Sequence, residues 1–154
     1  SYMRQALKLA ERAGGDDEVP VGCVIVCEGR IIARAYNQTM TLHDPTAHAE
    51  MIAITQAAEE LQNERLLDTT LYVTCEPCAM CAGAMVLARI PRVVYGAPEP
   101  KTGCAGSVLD LLREPRFNHR CEVTGGVLAE EAAQLLRDFF TRKRKKASSG
   151  NTSG

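Results

Sequence analysis

The stretch that decides the fold is Thr70-Leu71-Tyr72-Val73-Thr74-Cys75-Glu76-Pro77-Cys78-Ala79-Met80-Cys81-Ala82-Gly83-Ala84-Met85-Val86-Leu87-Ala88. Its first five residues are β-branched, aromatic or leucine, the composition of a strand. Glu76-Pro77 breaks the run, and no charge follows until Arg89. Proline suits the first position of a helix, where its missing N–H costs nothing. The pattern predicts a strand over 70–74 and a central helix over 77–88. Gly83 and Ala84 allow close backbone approach on that helix, and one sheet face cannot cover all of its apolar surface.

Working outward, residues 2–13 place Met3, Ala6, Leu7, Ala10 and Ala13 on one face of an amphipathic helix, ended by Gly14-Gly15. Val21–Cys27 and Ile31–Tyr36 read as two strands joined by a tight turn at Glu28-Gly29-Arg30. A polar loop over 37–47 leads to a helix from His48 to Leu61, whose apolar residues (Met51, Ile52, Ile54, Ala57, Ala58, Leu61) cover more than one stripe and predict deep burial. Beyond the central helix come a strand over 92–95 and a Gly/Pro-rich loop over 96–106. A short helix capped by Ser107 then runs to Leu112, and a strand follows over 121–124. Leu128, Ala132, Leu135, Leu136 and Phe139 form the stripe of a last helix. The expected architecture is three-layer α/β/α: a mixed five-stranded sheet flanked by helices, with an antiparallel hairpin and parallel strands where helical crossovers intervene.

At 154 residues the chain is one domain by default, expected over 1–146, with a disordered tail over 147–154. Hydrophobic residues make up 45% and charged residues 24%, which excludes a disordered or fibrous chain. No apolar run approaches a membrane span, and Arg4, Lys8, Glu11 and Arg12 interrupt the N-terminus, so no membrane association and a cytoplasmic location are expected. The net charge is -1, but it is segregated. Six basic residues and one acid between Arg137 and Lys146 give that segment +5 and leave -6 for the rest. Such a segregated patch reads as a contact surface for an anionic partner, or as a solvated helix end whose cations complement the dipole.

Seven cysteines are an odd number for a disulfide framework and favour metal binding or catalysis. Cys23, Cys27, Cys104 and Cys121 lie among apolar or small residues and read as small hydrophobes. Cys78 and Cys81, three apart at a helix start, project from the same face, and His48 opens another helix. Helix N-termini favour thiolates. One imidazole and two thiolates suit one Zn²⁺ and leave a fourth position for water. Glu50 lies two residues beyond His48, placed to move protons without holding the metal. The competing arrangements are a closed site that adds Cys75 and a disulfide between Cys78 and Cys81.

His48-Ala49-Glu50 with Pro77-Cys78-Ala79-Met80-Cys81 is the signature of zinc-dependent nucleobase deaminases. Over about residues 2–146 the chain resembles the bacterial tRNA-specific adenosine deaminases, through Glu18-Val19-Pro20-Val21-Gly22, His43–Glu50, Glu76–Met85, Lys101-Thr102-Gly103-Cys104-Ala105-Gly106-Ser107 and Asn118-His119-Arg120. The resemblance implies a cytidine deaminase-like fold and a homodimer. It also implies hydrolytic conversion of adenosine to inosine at the wobble position of a tRNA anticodon stem-loop. Zinc-activated water would attack C6 of adenine while Glu50 shuttles protons to N1 and to the leaving amine, and the backbone at Ala49 and Cys78 would orient the reacting groups. By the same analogy Asn37 hydrogen-bonds the base, Glu99 stands where the family has Asp near a flanking ribose, and Lys101, His119, Arg142 and Lys143 contact phosphates. Phe140 stacks on a base or closes the helix. A deaminase of free bases shares the zinc core, but the basic end favours RNA. A zinc-stabilised module without activity would have no need of Glu50.

Overall fold

A two-residue turn sets the first pairing. Glu28 and Gly29 both take positive φ, 51° and 74°, the backbone of a tight hairpin whose twist matches its strands. It joins β1 (Gly22–Cys27) to β2 (Arg30–Tyr36), with Cys27 opposite Arg30. In the computed structural model, which describes residues 1–152, α1 (Tyr2–Gly15) precedes this hairpin. After it come α2 (Ala49–Leu61), β3 (Thr69–Cys75), α3 (Ala79–Leu87), β4 (Arg92–Ala97), β5 (Glu122–Thr124) and α4 (Ala129–Thr152). The strand order is β2-β1-β3-β4-β5. β1 is antiparallel to both β2 and β3, whereas β3–β4 and β4–β5 are parallel.

The central strands are buried on both faces, and the alternation of side chains divides two cores. Cys23, Ile25, Leu71, Val73 and Val93 face α2 and α3, where Ala53, Ala57, Cys81, Ala82 and Met85 complete the larger core. Val94 and Tyr72 face the other way, onto Met3, Ala6, Val127 and Leu128. α1 lies almost in contact with the sheet backbone. A Cβ on Gly22 would fall 2.0 Å from the Ala6 carbonyl oxygen, so only glycine fits there.

Five features differ from the sequence expectations. Pro77 does not open α3: Cys78 is the N-cap, and Pro77 belongs to the connection before it. No helix follows Ser107, because its N–H and hydroxyl are taken by Glu76 and because Ala105 bridges Asp110. The β4–β5 crossover is consequently made without a helix. Deep burial of α2 holds only for Ala49, Glu50, Ala53 and Ala57; Met51, Ile52, Ile54 and Leu61 are half-buried. The disordered tail expected over 147–154 is also not what the structure shows through Thr152. Once α4 is nucleated, each further residue adds a hydrogen bond at little extra cost, so the helix continues past Lys146. Residues 153–154 lie outside the described residues. No helix among the described residues is long and apolar enough to cross a membrane.

Candidate metal centre and active site

Two helices begin beside the end of β3. His48 is the N-cap of α2 and Cys78 the N-cap of α3, each with extended backbone, so their side chains leave the helix axes and meet. Cys78 Sγ lies 3.6 Å and Cys81 Sγ 3.5 Å from His48 Nδ1. The three ligating atoms fall within 4.8 Å of one another. A tetrahedral ion with Zn–S near 2.3 Å and Zn–N near 2.05 Å sets S···N separations of ~3.6 Å, so the donor set fits Zn²⁺ in chemistry and in span. Charge agrees. Hydrogen bonds from Cys81 and His48 pull the Cys78 thiol down to about 3, and its bond to Cys78 pulls the His48 imidazole up. Cys81 is pushed up, first by that hydrogen bond to Cys78 and then by burial, because one sulfur keeps the proton the other lacks. A divalent cation is what lets both be thiolates.

Among the described residues no disulfide joins Cys78 to Cys81. Cys75 is outside the ligand cluster; it lines the adjoining cavity, its thiol pushed up to about 12 by burial and by the charge of Glu50. The site is therefore of the open, three-ligand kind.

That cavity has a volume of about 260 Å³. This is at the small end for ligand pockets, which run about 300–1,000 Å³ for drug-sized molecules, and it suits one ring system with the rest of a polymer outside. His48, Glu50, Cys75 and Cys78 form its floor, Val19, Val21, Asn37 and Thr39 one wall, and Glu76, Glu99 and Thr102 another. Leu136 and Phe140 close it from α4. Glu50 is only 4% exposed, and burial pushes its carboxyl up to about 7. It is not part of the ligand cluster. Asn37 is buried in the wall with its backbone N–H bonded to the Val21 carbonyl. Ala49 is fully buried behind the wall and offers only its backbone, at a helix position whose N–H has no intrahelical acceptor.

The remaining predicted contacts divide. Glu99 reaches the cavity, and its Oε1 accepts the Lys101 N–H at 3.1 Å. A second cavity of about 650 Å³ shares Glu99, Leu136 and Phe140 with the first, and Lys101, Arg137 and Arg144 rim it. Arg142 and Lys143 are not brought there. Lys143 pairs with Asp17 at 2.9 Å, and both cations stand over the Phe139 ring. At 3.6 residues per turn, positions 137, 140, 141 and 144 share one face of α4, whereas 139, 142, 143 and 146 share the opposite one, turned toward α1. His119 is not brought there either. Its Nε2 meets the Ile90 carbonyl at 2.8 Å, just before the start of β4, ~17 Å along the strand from the end that borders the site.

Two buried glutamates hold the walls, and sequence reasoning gave neither that task. Glu18 accepts the Met40 and Thr41 N–H groups at 3.1 and 2.6 Å, and also the Thr41 hydroxyl. Burial alone would raise its carboxyl, but these bonds outweigh it and hold the group low. Glu76 does the same for the loop after β4. No spacing rule marks Glu18; the only signal for Glu76 is its place before Pro77-Cys78.

Such a donor set, with a buried carboxyl of near-neutral proton affinity on a mixed sheet, defines a zinc-dependent deaminase. The family model of the cytidine and deoxycytidylate deaminase zinc-binding region matches residues 1–97, which include the three ligands and Glu50. The chain is 51% identical to the tRNA-specific adenosine deaminase of Bacillus subtilis (strain 168), across 99% of this chain and 96% of that protein. It is 50% identical to the tRNA-specific adenosine deaminase of Haemophilus influenzae, across 93% and 83%. A solved structure from a study of A-to-I editing by tRNA:A34 deaminases at the wobble position of transfer RNA superposes with a TM-score of 0.85 at 47% identity, covering 88% of this chain and 98% of that one. A guanine deaminase from Nitrosomonas europaea shares the fold at a TM-score of 0.76 and 24% identity, covering 89% and 81%. The chain belongs to the tRNA-specific adenosine deaminase family.

Metal analysis of single variants tests the ligand set. Cys78→Ser and Cys81→Ser are expected to lose zinc, whereas Cys75→Ser should keep one ion per chain. Zinc lost with Cys75→Ser would restore a closed four-ligand site.

Proposed function

We propose that this protein hydrolytically deaminates adenosine to inosine at the wobble position of a tRNA anticodon, releasing ammonia. The observation that carries the reading is the buried Glu50 carboxyl on the floor of a one-base cavity, beside His48, Cys78 and Cys81. When bound by those three residues, zinc supplies the Lewis acid that lowers the pKa of water and furnishes the nucleophile. With its carboxyl near 7, Glu50 can both hold and release a proton at neutral pH. It takes one from the incoming water, delivers it to N1 of the adenine, and later protonates the leaving amine. The Asn37 amide, with donors and an acceptor, fixes the edge of the base, and Val19, Val21 and Phe140 supply its apolar surroundings. A target base must leave its stack to enter so small a cavity, and an anticodon loop already presents unstacked bases.

The RNA strand outside the cavity is met by the basic rim. Lys101, Arg137 and Arg144 stand beside the mouth, and Phe140, 45% exposed, offers a ring face for a neighbouring base. Lys143 and Lys146 serve instead to tie α4 to Asp17, just beyond the end of α1, while Arg142 and Lys143 stand over Phe139 of α4 itself. Residues 1–146 act as one catalytic domain, and the cytoplasm, where tRNA is processed, is its place of work. The working unit is a homodimer. Supporting this, Leu87 is 80% exposed on α3, and a groove between α2 and α3 presents Ile54, Ala58 and Ala84 beside it.

Sequencing inosine in tRNA incubated with the purified protein should show one site, at the wobble position. Glu50→Ala is expected to lower turnover by about 10⁴-fold while keeping its zinc. Full activity with retained zinc would remove Glu50 from the mechanism. Binding measured against salt separates the faces of α4. Replacing Lys101 and Arg144 with Gln should flatten the log–log slope by about 0.7 for each phosphate of single-stranded RNA that is no longer neutralised. Replacing Lys143 and Lys146 should flatten it less, and the reverse order would return the phosphate-binding role to the α1 side. Light scattering at micromolar concentration should give a dimer, and Leu87→Arg a monomer; a monomeric wild-type protein refutes the dimer.

A further inference from the structure

Glu76 is 4% exposed and carries a charge, yet no cation pairs with it among the described residues. Burying a carboxylate is expensive unless hydrogen bonds replace its water. Here they do, and all come from one loop. The Glu99 N–H donates to Oε1 at 2.9 Å, and the Ala105 and Ser107 N–H groups donate to Oε2 at 2.9 and 3.0 Å, with the Ser107 hydroxyl as a fourth donor. The packing tolerates no side chain between. A Cβ on Gly103 would stand 2.4 Å from Glu76 Cδ.

The backbone around Glu76 ties the same loop to the metal ligands. The Glu76 N–H bonds the Ala97 carbonyl at 2.9 Å, extending the β3–β4 pairing by one step. The Pro77 carbonyl accepts the Cys104 N–H at 2.8 Å. The next residue is Cys78. One short segment thus carries a zinc ligand at one end and, at the other, the side chain that fixes the cavity wall bearing Glu99 and Thr102, with Lys101 at its rim.

We infer that Glu76 is a positioning residue for deamination: its carboxylate gathers the main-chain N–H groups of the 98–107 loop and so registers the RNA-binding wall against the metal centre. It acts through the loop and takes no part in proton transfer. A neutral group of the same shape would not serve, because Gln presents an NH₂ where two N–H donors already point. The inference rests on the tRNA deaminase reading above.

The loop binds ground state and transition state alike, whereas Glu50 and the ligands are held by α2 and α3. Disturbing the loop should therefore raise KM more than it lowers kcat. The experiment measures both on an anticodon stem-loop, with zinc content and thermal stability, for wild type, Glu76→Gln, Glu76→Asp, Gly103→Ala and Ser107→Ala. Glu76→Gln is expected to raise KM by about tenfold or more, the factor equivalent to losing one charge-assisted hydrogen bond from the bound state, with zinc retained. Glu76→Asp, which keeps the charge, should recover part of that loss. Gly103→Ala, which keeps the charge but drives a methyl group against the carboxylate and so pushes the loop off it, should mimic it. An unchanged KM in Glu76→Gln, or an Asp variant no better than Gln, overturns the inference. If Glu76→Gln does not fold, Gly103→Ala and Ser107→Ala decide: a raised KM in both supports it, and wild-type KM in both overturns it. A wild-type protein that makes no inosine in the stem-loop would instead fail the functional reading itself.

Discussion

Everything at the site depends on two helices starting at the same place. α2 and α3 differ in length and in what they cover, but each begins with a residue in extended backbone beside the end of β3. That puts an imidazole and two sulfurs within one coordination sphere, and it aims the positive ends of two helix dipoles at groups that must be anionic to work. The sheet enforces the meeting. β3 is hydrogen-bonded on both sides, to β1 and to β4, so the end of the strand has no freedom to drift. The larger core, built from small residues such as Ala49, Ala53, Ala57, Cys81 and Ala82, lets the helices come close enough for the side chains to touch.

Three buried glutamates surround this point, and their surroundings sort them. Glu18 and Glu76 are given donors and remain charged, although burial works against both. Glu50 is given burial without comparable donors, and its proton affinity rises into the working range of an acid–base group. The same residue type therefore fastens two walls and, at Glu50, supplies the group proposed above to move protons between them. Only the local supply of N–H groups distinguishes the tasks.

The metal ligands and Glu50 were legible in the sequence because their geometry is local. His-x-Glu at one helix start and Cys-x-x-Cys at another leave few arrangements open, and an odd number of cysteines favoured metal binding over a disulfide framework. The two-layer covering of a mixed sheet was legible for a similar reason, since the period of apolar residues changes from two to 3.6 at each boundary. What was not legible depends on contacts distant in the chain. Ser107 reads as a helix cap until Glu76, 31 residues earlier, takes both of its donors. The cations of α4 read as one patch because sequence gives their number but not their azimuth; Asp17, far upstream, claims Lys143 and leaves Arg144 at the mouth. His119 matched a motif, yet topology sends it to the opposite end of the sheet. Proline at 77 satisfied a rule for helix starts and was still displaced by the needs of Cys78.

The wall after β4 is fastened by its main chain. Glu76 grips amide groups, which every residue except proline possesses, and asks a particular side chain only of Ser107 and the absence of one at Gly103. Cys104 and Ala105 are buried in the larger core, but the side chains of Glu99, Lys101 and Thr102 lie outside it, and replacements at those three positions leave the core and the ligands undisturbed. Such a wall can drift in sequence while the chemistry beneath it stays fixed, as a mould keeps its frame when the lining is changed. Position 99, where this chain carries Glu and the resemblance expects Asp, is accordingly a place where a substitution alters what is recognised without altering whether the chain folds.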